Sequence, residues 1–85
     1  MSDKTEQAKS RWAARRGMLE LDLILGPYVE HGFPAASRQE QSLFMAFMQC
    51  NDQDLYRWLI KKEAPDDEWV EIVQVIIDAQ AASRD

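Results

Sequence analysis

Apolar residues recur along most of the chain at intervals of three and four positions, a spacing typical of helices. β-Branched residues, which strands favour, are sparse until the last segment. We therefore predict an all-α fold, a compact five-helix bundle with short connections, in a single domain spanning residues 1–85. Residues 1–4 are expected to be flexible at the N-terminus, and residues 82–85 are expected to fray at the C-terminus.

The first two predicted helices differ in their apolar content. The first covers about residues 5–15 and would dock mainly through Trp12. The second covers about residues 18–31, with a kink or short break expected at Pro27 and a C-terminal stop at Gly32. Its expected buried stripe is Met18, Leu21, Leu25 and Tyr28, widened by Ile24 and Val29.

The last three predicted helices have recognisable starts. Ser37 and Glu40 form a capping box, in which each side chain bonds the other residue's backbone N–H. Asn51 or Asp52 caps the fourth helix, and the fifth opens in the acidic stretch after Pro65. The expected inward-facing residues are Leu43, Phe44, Phe47, Met48, Leu55, Trp58, Leu59, Trp69, Ile72, Val73 and Ile76.

Composition limits what such a domain can do. Apolar residues make up 46% and charged residues 29% of the 85 positions, which is an ordinary globular balance. A chain of this length has little interior to spare for a buried catalytic pocket, so we expect a binding protein and not an enzyme. We also expect it to be a monomer.

Charge is divided unevenly along the chain. Residues 1–17 hold five bases and two acids, a net charge of +3, whereas the other 68 residues hold five bases and thirteen acids, a net charge of −8. An acidic body argues against nucleic-acid binding, which uses a broad basic face. The chain therefore has a basic N-terminal segment followed by an acidic remainder.

The chain carries no sign of export or membrane insertion. Its longest apolar run, residues 23–25, is far too short to span a bilayer, and its first residues lack the apolar stretch of a secretory signal. Cys50 is the only cysteine, so no intramolecular disulfide can form. We therefore expect a cytoplasmic protein.

Two single residues carry reactive side chains, His31 and Cys50. His31 could act as an acid or base or link a flavin, but a polar residue at a helix end is the simpler interpretation. Cys50 is expected to be a buried, inert thiol. With one Cys and one His, a Cys/His zinc site within one chain is excluded.

The segment from Arg15 to Glu20 is different. Arginine presents a planar fork of donors suited to carboxylates, and Gly17 lets another backbone approach closely. Arg16 and Glu20 would share one helical face if the turn between them is continuous. A contact site and an intrahelical ion pair beside a helix stop are equally supported by these residues alone.

Three segments, in order, closely resemble the flavin-attachment assembly factors of succinate dehydrogenase, known in mitochondria as succinate dehydrogenase assembly factor 2. Arg16, Gly17 and Glu20 match the family's Arg-Gly-x-x-Glu signature. Residues 27–30 look like its Pro-aromatic-x-Glu segment, and residues 52–59 look like its Asp-x-Asp-Leu-x-x-Trp-Leu segment. The similarity covers about residues 8–60.

The resemblance implies an assembly factor that promotes covalent FAD attachment to the flavoprotein subunit of succinate dehydrogenase, and in bacteria of fumarate reductase. The flavin joins a histidine of the partner, so His31 is not expected to take part, and no tightly bound cofactor is expected here. We expect Arg16, Gly17 and Glu20 to contact the partner, with Met18 beside them. The expected rim of this contact is Trp12, Arg15 and Asp22. Leu19 and Leu21 are assigned to packing.

Two other functions compete with this one. Some bacterial members of the family have been described as antitoxins, so a regulatory binding module of a toxin–antitoxin pair is the main alternative. An enzyme or FAD-binding protein is the second, and it is disfavoured because the chain lacks a phosphate-cradling glycine loop.

Overall fold

The computed structural model describes residues 18–82, and these residues fold into four helices without a strand. Helix α1 is continuous and has three parts, whereas α4 opens with a short 3₁₀ turn. The bounds are Leu19–Pro27, Tyr28–Gly32 and Phe33–Ala35 for α1, Arg38–Phe47 for α2, Asp52–Leu59 for α3, and Asp67–Trp69 with Val70–Ala82 for α4. The predicted helix over residues 5–15 and the predicted flexible N-terminus lie outside the described residues, so the five-helix count is not confirmed.

Helix α1 forms the centre of the described core. It packs against α4 along its length and against α3 at its N-terminal half. Fifteen hydrophobic side chains of residues 18–82 are buried between the four helices, among them Leu21, Leu25 and Ile76, which have no exposed surface. Of the predicted inward-facing residues in α2 to α4, only Leu43 and Trp69 are partly rather than fully buried. The helical periodicity therefore predicted the core correctly.

Two aromatic clusters fill this core. Tyr28, Phe33 and Phe44 meet with ring centroids 4.8 to 6.3 Å apart, which joins the end of α1 to α2. Phe47 stacks on Trp58 of α3 at 5.9 Å. Such pairs are each worth about 0.5–1.5 kcal/mol beyond the area they bury.

The predicted stop at Gly32 is wrong, and the kink or short break predicted at Pro27 corresponds to a π turn that begins at Tyr28. Both Pro27 and Gly32 have right-handed helical backbone angles, and α1 continues to Ala35. Proline lacks an N–H and its ring crowds the preceding turn, so the hydrogen-bond pattern changes here. The Tyr28 N–H donates to the Leu25 carbonyl, and the Phe33 N–H then donates to the Tyr28 carbonyl across a wider π turn.

Gly32 is required by packing and not by a helix end. A Cβ placed on Gly32 would lie 2.5 Å from Cδ1 of the Tyr28 ring, closer than such atoms can approach. The ring cannot move away easily because it is fully buried and its hydroxyl donates to Glu40 Oε2 at 2.8 Å. The glycine therefore provides the space in which Tyr28 lies.

The two predicted side-chain caps are present with one difference. Ser37 Oγ accepts from the Glu40 N–H at 3.1 Å, but the Glu40 carboxylate accepts from Tyr28 instead of reaching back to Ser37. Asn51, and not Asp52, caps α3, since Asn51 Oδ1 accepts from the Asp54 N–H at 2.8 Å. The capping box is thus half formed, with its acidic member used to tie α1 to α2.

Candidate partner-contact site

The signature segment meets the described structure at Met18. This residue has an extended backbone, with φ −112° and ψ 119°, and α1 begins at Leu19. Arg16 and Gly17, with Trp12 and Arg15, lie outside the described residues. Glu20 belongs to α1, whereas Met18 does not.

The two acids predicted at this site both lie in the first turn of α1. Glu20 and Asp22 are exposed, and the Asp22 N–H donates to the Met18 carbonyl at 3.0 Å, closing the first turn. Negative charge near a helix N-terminus is favoured by the helix dipole. Met18 is half-buried and packs against the core, so it anchors the start of α1, where the two acids lie.

Leu19 does not pack in the core as predicted. It is 69% exposed, whereas Leu21 is fully buried as expected. Leu23, one turn after Leu19, is 62% exposed. Helix α1 carries apolar residues on both of its faces, and packing covers only the face of Leu21, Ile24 and Leu25.

A shallow groove of about 320 Å³ continues along this exposed face. Its lining residues are Asp22, Leu23, Gly26, Pro27, Glu30 and His31. Leu23, Gly26, Pro27, Glu30 and His31 were not among the predicted site residues. The signal that could have indicated them is the second apolar row at positions 19, 23 and 27, which recurs every four residues on the side opposite the buried stripe.

The other two segments that resemble the family have mainly structural positions. In residues 27–30, Tyr28 and Val29 are buried while Pro27 and Glu30 reach the groove. Residues 52–59 form α3, whose Leu55 and Leu59 have no exposed surface. Residues 52–59 therefore maintain the fold. The exposed side of residues 27–30 extends the candidate site.

His31 and Cys50, the two residues with reactive side chains, have ordinary surroundings. His31 is 77% exposed in the π turn, with Nε2 at 4.0 Å from a Glu30 carboxylate oxygen. Cys50 is half-buried and not fully buried as predicted. Within residues 18–82 no three His, Cys, Asp or Glu side chains are grouped to hold a metal ion. None of the helices described is both long and apolar enough to cross a bilayer.

A second groove lies on another side of the molecule. It has a volume of about 520 Å³ between the start of α2 and α4, where Glu40 and Glu71 are its acidic members. The Glu40 carboxylate already accepts a hydrogen bond from the Tyr28 hydroxyl, so it is engaged in holding the helices together. The exposed face of α1 is the surface that directly continues the signature segment.

Similarity to known proteins shows the family of this chain. The model of the family described as the flavinator of succinate dehydrogenase matches residues 8–80. The chain is 37% identical to the FAD assembly factor SdhE of Pseudomonas aeruginosa over 79 residues, which are 92% of this chain and 94% of that protein. It is 34% identical to the protein of the same name from Pseudomonas putida over the same shares of both chains. A Vibrio vulnificus protein, also named FAD assembly factor SdhE, is 47% identical over 55 residues, 65% of this chain and 64% of that protein.

These matches define a class of protein, assembly factors that serve a flavoenzyme and are not catalytic enzymes themselves. The chain belongs to the family described as the flavinator of succinate dehydrogenase.

Proposed function

We propose that this chain promotes covalent attachment of FAD to the flavoprotein subunit of succinate dehydrogenase by binding that subunit through Arg16, Gly17 and Glu20. Membership of the flavinator family and relatives named FAD assembly factor support this role. The observation that carries the site is the position of Glu20, exposed in the first turn of α1 where the helix meets the signature segment. Trp12, Arg15, Met18 and Asp22 surround this contact in the proposal.

The proposal extends to client and setting. Fumarate reductase has a flavoprotein subunit of the same kind and is a second client. The chain acts as a monomer in the cytoplasm, where the flavoprotein subunit is made, and it holds no FAD tightly itself. A first predicted helix over residues 5–15, completing five in all, carries Trp12 and Arg15 toward the same partner.

The mechanism is positioning of the partner. The bond forms within the flavoprotein subunit, and a bound helper can favour the geometry in which flavin and histidine react. Orientation of reacting groups can lower a barrier by several kcal/mol without any acid or base from the helper. In this proposal Arg16 and Glu20 bind polar groups near the flavin site of the partner, and Gly17 permits close contact.

The test is co-expression of the flavoprotein subunit with this chain, followed by in-gel flavin fluorescence of the subunit. We expect Arg16→Ala and Gly17→Arg to remove most of the fluorescence, since truncating a buried interface arginine often costs about 2 kcal/mol or more. Arg38→Ala is the matched control, because Arg38 is an exposed arginine at the start of α2. Undiminished fluorescence with Arg16→Ala and Gly17→Arg would overturn the site.

A pull-down from the same cells separates the proposed function from a role as an antitoxin. Recovery of the flavoprotein subunit with the wild-type chain supports the proposal. Recovery of a small membrane protein in place of any flavoprotein would contradict it.

A further inference from the structure

We infer that the exposed face of α1 formed by Leu19, Leu23, Gly26, Pro27 and Glu30 is a second half of the flavoprotein contact, and that it binds an apolar segment flanked by basic side chains. This inference rests on the proposed function and adds residues and partner chemistry to it. Four observations support it: the exposure of the face, the open space above Gly26, the charge of the helix, and the continuity of the face with the signature segment.

The apolar row is solvent-exposed on the side opposite the core. Leu19, Leu23 and Pro27 are spaced four residues apart, so they lie above one another on one face of the helix. Leu19 and Leu23 are 69% and 62% exposed, and among the described residues only Val70, on α4, is another large hydrophobic residue exposed to a similar degree. Two adjacent leucines left in water on a helix that is otherwise packed are typical of a protein contact surface.

Gly26 faces open space on the exposed side of α1. Apart from the adjacent residues and the helix's own backbone, a Cβ placed there would meet no atom of the described residues within 4 Å. Alanine at this position would gain helix propensity, but its Cβ would crowd the ring of Pro27, so the two effects on stability oppose each other. Gly32 is the contrasting case, since its missing Cβ is required by Tyr28. The space above Gly26 is therefore available for close approach of another molecule.

The charge of the helix defines the chemistry of its partner. From residue 18 to residue 37 the chain has no Lys or Arg and three acids, Glu20, Asp22 and Glu30. These acids flank the apolar row, and Asp22 and Glu30 line the groove beside Leu23. Complementary potentials govern the choice of partner at such surfaces, so the matching segment is apolar with arginine or lysine beside it.

The size of a stable interface also requires this extension. A standard interface buries about 800 Å² on each partner and uses about 20 residues or more, which is larger than the contact proposed above can supply. The exposed row begins at Leu19, directly between Met18 and Glu20, and runs about 12 Å along α1 to Pro27 at the usual rise per residue. The face is thus continuous with the contact already proposed.

The first test replaces Leu23 with glutamate and measures binding to the purified flavoprotein subunit together with its flavin fluorescence after co-expression. We expect binding to weaken about tenfold or more, because an anchor residue at an interface often contributes this much. Val70→Glu is the matched control, since Val70 is an exposed hydrophobic residue on α4. Unchanged far-ultraviolet circular dichroism and melting temperature show that both variants fold.

The outcomes distinguish the inference from the proposed function. If the wild-type chain binds and promotes flavinylation while Leu23→Glu does so equally well, the inference is overturned and the proposed function stands. If the wild-type chain neither binds the subunit nor raises its flavin content, the proposed function itself fails.

The second test uses Gly26→Ala and separates folding from binding. We expect binding to the flavoprotein subunit to be at least about threefold weaker, because the added methyl group keeps the partner away, while circular dichroism shows that the helix is retained. A folded variant that binds as tightly as the wild type would contradict close approach at Gly26.

The third test addresses charge. Glu30→Lys should weaken binding severalfold at low salt and lose much of this effect at high salt, because screening shortens the range of exposed charges. Glu68→Lys, an exposed acid at the start of α4, is the control for net charge. Equal effects of the two substitutions would show that only net charge matters and would overturn the assignment of a basic partner segment to this face.

Discussion

At the residue scale, the two glycines of α1 show how the same side chain serves different purposes. Gly32 is the residue on which the Tyr28 ring lies, and Gly26 faces open space in the described structure. Sequence position alone favoured a helix stop at Gly32, because glycine commonly follows the last helical turn. The contact that explains it depends on the fold and could not be seen in the sequence.

We predict that Gly32→Ala lowers the free energy of unfolding by about 1–2 kcal/mol. The gain in helix propensity is smaller than the cost of forcing a methyl group against a buried ring. Urea denaturation measures the change, with Gly26→Ala as the control, since a Cβ at Gly26 meets no buried ring. A Gly32→Ala variant that is as stable as the wild type would show that Tyr28 can move aside.

Leu19 shows what periodicity cannot decide. Leucines at positions 19, 21, 23 and 25 surround the start of α1, so apolar spacing allows either face to be the buried one. Packing against α3 and α4 selects the face of Leu21 and Leu25, and Leu19 is left in solvent. In α3, by contrast, the buried Leu55, Trp58 and Leu59 lie opposite polar residues, which removes this ambiguity.

At the element scale, α1 is longer than predicted because a π turn accommodates its proline. The sequence located the irregularity at Pro27 correctly, but the chain continues as a helix to Ala35. The C-terminal part of α1 is held by Tyr28, whose hydroxyl donates to Glu40 at the start of α2. This bond fixes the orientation of the turn that presents Glu30 and His31 to the groove.

The Tyr28–Glu40 bond predicts a dependence of stability on pH. Burial, with the hydrogen bond to Glu40, raises the pKa of Tyr28 well above its usual value near 10. A raised pKa in the folded state contributes stability that is fully present below about pH 10 and is lost as the pH rises above it. We expect the free energy of unfolding to fall by up to about 1.4 kcal/mol for each pH unit in that range.

Tyr28→Phe isolates this contribution. The variant should be less stable at pH 7 by about 1–2 kcal/mol, since it loses a hydrogen bond to a carboxylate, and it should lose less stability above pH 10. Urea denaturation at pH 7, 10 and 11 gives both quantities. Identical slopes above pH 10 for the wild type and the variant would rule out Tyr28 as the titrating group.

At the scale of the whole molecule, the described fold presents an acidic, partly apolar helix face at the end of a basic segment. Residues 1–17 carry a net charge of +3 and the remainder a net charge of −8. The fold class, the core and both side-chain caps could be predicted because each depends on spacing within a few residues. The extent of the contact face could not, since it depends on which side of α1 the other helices cover.

The part of the site that the sequence did indicate came from its resemblance to a family and not from chemistry. Arginine, glycine and glutamate in this spacing support an ion pair and a contact equally well. Of the three signature residues the structure describes Glu20, which is exposed in the first turn of α1. Glu20 is therefore accessible to a partner.

The most direct measurement of the central claim is the intact mass of the flavoprotein subunit after co-expression, which counts covalently attached FAD on each molecule. With the wild-type chain we predict that most subunits gain the mass of one FAD, and with Arg16→Ala or no helper that most remain unmodified. Fully modified subunits in the absence of this chain, or equally modified subunits with Arg16→Ala, would contradict the account.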